Sequence, residues 1–196
     1  MPRGARGLVD GGHYHIVTRG IDRRILFQEE SDNRYFLDII RASLTRFKVS
    51  IFHYCLMPNH IHLLIKAIKA ADLPKFMQTV LQGYAYYFRK KYLSVGFIFQ
   101  NRYKSRFIEN DAYLLECGRY IERNPLRAKL ILNLFEYRWS SYLLYATGQQ
   151  DGIVKLLNPL YLDLGDTDKK RKEAYVNYVL QGRPYEDILD KEFHIS

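Results

Sequence analysis

Two apolar runs separated by a two-residue turn constrain the fold of this chain more than any other feature. Residues 50–57 are apolar on both faces, which is typical of a strand at the centre of a sheet. Pro58 and Asn59 are turn-forming residues, and residues 60–66 return as a second strand. The sequence therefore predicts an antiparallel strand pair in the middle of a sheet.

His60 and His62 lie two residues apart on the second of these strands. Side chains at positions i and i+2 project from the same face of a strand, so the two imidazoles share one face. The alternate residues, Ile61, Leu63 and Ile65, would form an apolar face on the other side. Two aligned imidazoles supply half of a site for a divalent metal ion, although a His-x-His pair taken alone is more often structural.

The order of the predicted elements indicates an α+β fold. The elements in chain order are a strand, a helix, two strands, a helix and a final hairpin around Asn101-Arg102: 13–18, 31–48, 50–57, 60–66, 72–88 and 97–108. This is the order of a ferredoxin-like antiparallel sheet with two helices on one face. The histidines would then lie on the opposite face.

A third helix is predicted from about residue 111 to Pro125, which should end it. At about 100° per residue, Tyr120 and Asn124 lie one turn apart and roughly 40° apart around the helix axis. If this helix packs near the histidine face, a phenol and an amide oxygen meet the two imidazoles there.

This set of side chains suits the cleavage of a phosphodiester bond. Two imidazoles and one amide oxygen can hold Mg²⁺ or Mn²⁺ without cancelling the charge of the ion, which then polarises a phosphate. The Tyr120 hydroxyl would attack phosphorus and form a covalent phosphotyrosine. A phenol has a pKa near 10 and needs a base, which the sequence does not identify.

The composition favours a polyanionic partner. The 196-residue chain has a net charge of +9, a pI of about 9.4, 17 tyrosines and 11 phenylalanines, as expected for a protein that binds nucleic acid. Basic and aromatic side chains alternate on the predicted hairpin, where the alternative is a solvated edge strand. The candidate DNA contacts are Arg19, Arg23, Arg24, Arg102, Tyr103, Lys104 and Arg106.

The two cysteines, Cys55 and Cys117, are expected to be buried free thiols in a reducing compartment. The N-terminal residues lack the apolar core of a secretory signal, and no window is long enough to span a membrane. We therefore expect a cytoplasmic protein associated with the nucleoid.

Five motifs resemble, in order, the HUH-type single-tyrosine transposases (IS200-like), in particular the REP-associated tyrosine transposases of bacteria: residues 14–20, 56–64, 99–105, 119–128 and 139–142. The resemblance implies that His60, His62 and Asn124 are metal ligands and that Tyr120 is the nucleophile. It also implies single-stranded or hairpin DNA as the substrate and a monomer or homodimer. We expect a transposase domain over residues 1–147 and a helical appendage over residues 148–196, which is a candidate for DNA recognition.

Several alternatives remain open at this stage. A non-catalytic DNA- or RNA-binding module on the same fold, a domesticated relative, is the alternative function. His13 and His15 also have strand spacing but are not expected to be ligands, with His15 near DNA as an option. His53 should pack or hydrogen-bond within the sheet. Glu116, one turn before Tyr120, could approach the metal, although a salt bridge or exposure is expected.

Overall fold

The computed structural model of the protein describes residues 7–109 and 112–181. The helices and strands, in chain order, are β1 (His13–Arg19), α1 (Glu30–Leu44), β2 (Val49–Met57), β3 (His60–Ala67), α2 (Asp72–Tyr92), β4 (Lys104–Ile108), α3 (Ala112–Arg127), α4 (Tyr142–Thr147), α5 (Pro159–Leu162) and α6 (Asp168–Leu180). The strands form an antiparallel sheet in the order β2-β3-β1-β4, which confirms the ferredoxin-like prediction.

The face of the sheet that carries Ile61, Leu63 and Ile65 packs against α1 and α2. This first core also contains the buried β1 residues Tyr14 and Ile16. From the helices come large side chains at helical spacing, among them Phe36, Ile40, Phe76, Val80 and Tyr84. The alternation of β3 and the apolar stripes of the two helices therefore dictate this layer, as predicted.

The position of β2 corrects one prediction, because β2 is an edge strand that pairs with β3 alone. A distant segment covers its outer edge: Leu56 N donates to Trp139 O (2.9 Å), and Ser141 N donates to Tyr54 O (3.0 Å). Both faces of β2 are buried by helices, so its apolar character results from this cover and not from a central position.

The opposite face of the sheet packs against α3. A second, smaller core lies between them and includes Val17, Phe52, Cys55, Leu64, Leu114, Cys117 and Ile121. Both cysteines are buried free thiols, as expected. A bulge in β2 between Ile51 and His53 inserts Phe52 into the strand, and this extra side chain joins the second core.

The predicted hairpin over residues 97–108 is wrong. β4 pairs with β1, while the preceding segment also pairs with the end of β1: Gln100 N donates to Arg19 O (2.9 Å), and Phe99 bridges Gly20. Both stretches run antiparallel to β1 along the same side of it. Residues 101–103 therefore interrupt a single edge strand and do not form the turn of a hairpin.

Within the segment predicted as a helical appendage, α6 packs against α3 and α4. Tyr175 and Val179 of α6 and Tyr161 of α5 are buried in the first core. At the end of α6, Arg123 of α3 donates to Val179 O (2.7 Å) and Arg119 donates to Gln181 O. Residues 182–196 of the predicted appendage lie outside the described residues. No helix in the described part of the chain is long and apolar enough to cross a membrane.

Candidate active site

His60 and His62 lie on the face of the sheet that α3 covers, and both are buried. The cross-strand partners of the pair are Met57 and Cys55 on β2 and Arg19 and Val17 on β1. The two ring centroids are 5.0 Å apart, with an interplanar angle of 79°. The prediction that strand spacing brings both imidazoles into one space is therefore confirmed.

A neighbouring amide fixes the tautomer of His60. The Nδ1 atom of His60 lies 2.6 Å from Asn59 Oδ1, in the turn that joins β2 to β3. An amide oxygen only accepts hydrogen bonds, so Nδ1 carries the proton and the lone pair resides on Nε2. Metal-binding imidazoles usually have such an acceptor behind the ring.

His15 is part of the same cluster, which the sequence analysis did not anticipate. Its Nε2 lies 3.0 Å from His62 Nδ1, and the two rings stack with centroids 5.3 Å apart. Burial, followed by the charge of Arg106, lowers the pKa of His15 to about 3. Burial, then His60 and His15, likewise hold the pKa of His62 well below its usual value. Both rings are therefore neutral near pH 7, the form in which imidazole binds metals.

Tyr120 of α3 is fully buried against these histidines. Its ring centroid lies 5.6 Å from that of His62 and 5.7 Å from that of His15, edge-on in both cases. The predicted meeting of the third helix with the histidine face is thus present, and within a single chain.

Asn124 is oriented by the backbone of its own helix. Its Nδ2 donates to Tyr120 O (2.8 Å) and to Ile121 O (3.3 Å). The Ile121 carbonyl would normally accept from residue 125, but Pro125 has no N–H, so the asparagine amide takes this place. This substitute donor explains why α3 continues to Arg127, beyond the predicted end. Both partners are acceptors, so the NH₂ group is identified and Oδ1 lies on the other side of the amide.

Arg127 is a site residue that the sequence analysis missed. Its guanidinium carbon lies 5.6 Å from the centroid of the Tyr120 ring, and its charge also lowers the pKa of His62. Residues 120, 124 and 127 follow one face of a helix, so Asn124 lies between two residues that approach His62. The signal was present as a spacing of seven, but the helix was expected to end at Pro125.

The donor set fits a divalent cation. His62 Nε2 is buried and has no hydrogen-bond partner among the described residues, although a buried acceptor normally has one. In the predicted ligand set, the other two donor atoms would be His60 Nε2 and Asn124 Oδ1. No cluster of three His, Cys, Asp or Glu side chains within residues 7–109 and 112–181 could hold a metal, so His15 does not complete an all-histidine site.

A basic pocket adjoins the histidines at the end of β1. Arg19, Gln100, Asn101, Arg102 and Lys104 line a cavity of about 260 Å³, together with Val17 and Thr18. Burial and the charge of Arg23 lower the pKa of Arg19, and burial and Arg19 lower the pKa of Lys104. Like charges are thus crowded beside His60, which favours an anion in this place.

The other candidate DNA contacts are more scattered. Arg24 donates to Ser94 Oγ (2.7 Å), and Arg106 lies opposite His15 on β4. Tyr103 is only 7% exposed and packs in the first core, so the prediction that its ring stacks on bases is not supported by its position. Its side chain packs among apolar residues, while the neighbouring Asn101 and Arg102 are exposed.

A second histidine cluster lies on the same face of the sheet, further from Tyr120. His53 Nδ1 donates to Glu122 Oε1 (2.9 Å), and Asn158 donates to His53 Nε2 (3.1 Å). Glu122 also accepts from Ser141 (2.5 Å) and Tyr175 (2.6 Å). The expectation that His53 bonds within the sheet is wrong, because its partners come from α3 and the C-terminal part. The His53 ring lies where a Cβ on residue 118 would be, which explains Gly118.

Glu116 points away from this chemistry. It forms a salt bridge with Arg119 (2.6 Å) and accepts from Tyr178 of α6 (2.7 Å). The expected salt bridge is confirmed, and these contacts attach α3 to the C-terminal helix.

The chain is similar to known proteins in sequence and in fold. The sequence model of the family described as "Transposase IS200 like" matches residues 8–124. A solved REP-associated tyrosine transposase bound to a REP hairpin is 16% identical, with a TM-score of 0.62, over 78% of this chain and 90% of that chain. A putative transposase from Deinococcus radiodurans R1 is 18% identical, with a TM-score of 0.43, over 65% and 92%. No curated protein matches significantly.

Proposed function

The chain belongs to the IS200-like transposase family, and from that premise we propose that it cleaves and rejoins single-stranded DNA beside hairpins through a covalent 5′-phosphotyrosine on Tyr120. The observation that supports this most is the packing of the Tyr120 ring against His62 and His15 of the same chain. The proposed nucleophile and the proposed metal-binding pair lie in one chain, which supports an active site that either a monomer or a homodimer could use.

Tyr120 supplies the reacting oxygen. Its phenolic oxygen forms a bond to phosphorus while the bond from phosphorus to the 3′ oxygen breaks. The phenol releases its proton and the departing 3′ oxygen takes one up, so one phosphodiester is exchanged for another. The exchange is reversible, and a second 3′ hydroxyl can rejoin the strand.

His60, His62 and Asn124 would hold Mg²⁺ or Mn²⁺ at this place. When bound, the cation polarises the scissile phosphate and offsets its charge. The two neutral imidazoles and the amide oxygen leave the charge of the ion undiminished. Arg127, beside the Tyr120 ring, adds a positive charge where the phosphate would be attached.

The basic pocket formed by Arg19, Arg102 and Lys104 would bind the DNA backbone next to the scissile phosphate. Arg23, Arg24 and Arg106 extend this charge. The similar solved protein was bound to a REP hairpin, which supports hairpin DNA as the substrate class here. Such a substrate would place the protein in the nucleoid.

A labelled hairpin oligonucleotide with a single-stranded flank, chosen from the DNA beside the gene, tests the proposal. With Mn²⁺ or Mg²⁺, we expect a covalent adduct that survives denaturing electrophoresis, and none with Tyr120→Phe. The matched control is Tyr137→Phe, a half-buried tyrosine whose hydroxyl donates to Leu56 O. Hairpin binding without any adduct would instead support the non-catalytic module.

A further inference from the structure

The residue behind His62 differs in kind from the residue behind His60. Asn59 offers His60 an amide oxygen, which can only accept a hydrogen bond. His62 has instead the imidazole of His15, at 3.0 Å between His15 Nε2 and His62 Nδ1. An imidazole nitrogen can donate or accept, so the state of His15 decides what His62 can do.

The hydrogen bond between the two rings contains one proton. If that proton belongs to His62 Nδ1, the lone pair of His62 lies on Nε2, which can then bind a cation. If it belongs to His15 Nε2, a neutral His62 is protonated on Nε2 and cannot be a ligand there. His62 Nε2 is buried without a hydrogen-bond partner among the described residues, so a lone pair on that atom would be available to a cation.

We propose that His15 is the positioning residue of His62: its Nε2 accepts the Nδ1 proton of His62 and keeps the lone pair of His62 on Nε2. This inference rests on the proposed metal site. His15 is well suited to hold a ring in place, because it lies on the central strand β1, is 1% exposed and stacks on His62. Its ring also contacts that of Tyr120, so it packs against both the proposed ligand and the proposed nucleophile.

His13 provides a matched control. It lies on the same strand and face, two residues before His15, but its ring packs on Phe52 (centroids 5.4 Å apart). Replacing His13 therefore removes an imidazole from the same strand and face without removing the acceptor behind His62.

Mn²⁺ binding measured by calorimetry tests the role of His15. We expect His15→Leu to weaken binding by roughly 10- to 100-fold, the usual effect of losing an acceptor behind a ligand. His15→Gln, whose Oε1 can reach the position of Nε2, should remain within about fivefold of wild type, and His13→Leu should be unchanged. Thermal unfolding of each metal-free variant shows whether it is folded.

Equal Mn²⁺ affinity of folded His15→Leu and wild type would overturn the proposal, and so would a His15→Gln variant as weak as His15→Leu. A wild-type protein that binds no Mn²⁺ would overturn the metal part of the proposed function and the role of His15 with it. A separate measurement needs no metal. Nitrogen-15 NMR of the metal-free protein should show the Nδ1–H tautomer of His62, and the Nε2–H tautomer would overturn only the assignment to His15.

Discussion

Two buried polar clusters lie between the sheet and α3, one around His53 and Glu122 and the other around His15, His60 and His62. They differ in how completely their polar atoms are paired. In the cluster of His53, both ring nitrogens and both oxygens of Glu122 have partners. In the cluster of His62, one ring nitrogen has none among the described residues. Buried polar groups in proteins are normally paired. The comparison indicates that the first cluster stabilises the fold, whereas the second is kept open for a ligand.

The difference predicts that replacing His62 reduces DNA cleavage strongly but changes the free energy of unfolding little. His62→Leu should reduce covalent adduct formation about 1000-fold or more, because one of the proposed metal ligands is lost. The free energy of unfolding should change by less than about 1 kcal/mol, since the buried nitrogen without a partner is removed as well. Adduct assays and urea unfolding measure the two effects, and a large loss of stability would contradict the distinction.

Glu122 should show the opposite behaviour. Glu122→Ala removes the carboxylate that accepts from His53, Ser141 and Tyr175, and we expect a loss of about 3 kcal/mol in the free energy of unfolding. Adduct formation by the fraction that remains folded should fall far less than in His62→Leu. Urea unfolding checks the first value, and a loss below about 1 kcal/mol would show that the network is not structural.

Single hydroxyl deletions on α6 sharpen the same comparison. Tyr175→Phe should cost about 1.5 kcal/mol, because its hydroxyl donates to a fully buried carboxylate. The matched variant Tyr178→Phe removes a bond to Glu116 at a partly exposed position and should cost less. Equal losses in urea unfolding would argue against a special role for the Glu122 cluster.

The open cluster should also make stability depend on pH. The pKa of His15 is lowered to about 3 in the folded protein, so the unfolded chain, with a pKa of about 6.5, binds the proton more readily. The contribution of neutral His15 to the free energy of unfolding of the metal-free protein is therefore fully present above pH 6.5. It decreases as the pH falls toward 3, by about 1.4 kcal/mol per pH unit. His15→Gln should reduce the slope measured by unfolding at several pH values, and an unchanged slope would contradict the assignment.

Local rules explain which parts of the site could be predicted. The shared face of His60 and His62 follows from a period of two, and the meeting of Tyr120 and Asn124 follows from one helical turn. Non-local contacts explain the failures. The edge position of β2 depends on residues 139–141, and the role of His15 depends on the pairing of β1 with β3. Neither contact can be inferred from the local sequence, because each joins residues that are far apart in the chain.

Two misjudged residues show how a local rule can be overridden. Pro125 usually ends a helix, yet the Asn124 amide supplies the missing donor and α3 reaches Arg127. Tyr103 looked like a surface aromatic among basic residues, but its segment is interrupted and the ring is buried. In the first case a side chain replaces a backbone donor, and in the second a side chain joins the core.

The hydrogen bonds of Asn124 restrict which amino acid can occupy this position in evolution. An aspartate would be the stronger ligand for a hard cation, but it offers no N–H to the carbonyls of Tyr120 and Ile121. Its second carboxylate oxygen would face those carbonyl oxygens, and the repulsion between them would destabilise the last turn of the helix. The helix before Pro125 thus favours an amide at this position, and an aspartate in the proposed metal site would require replacing the proline first.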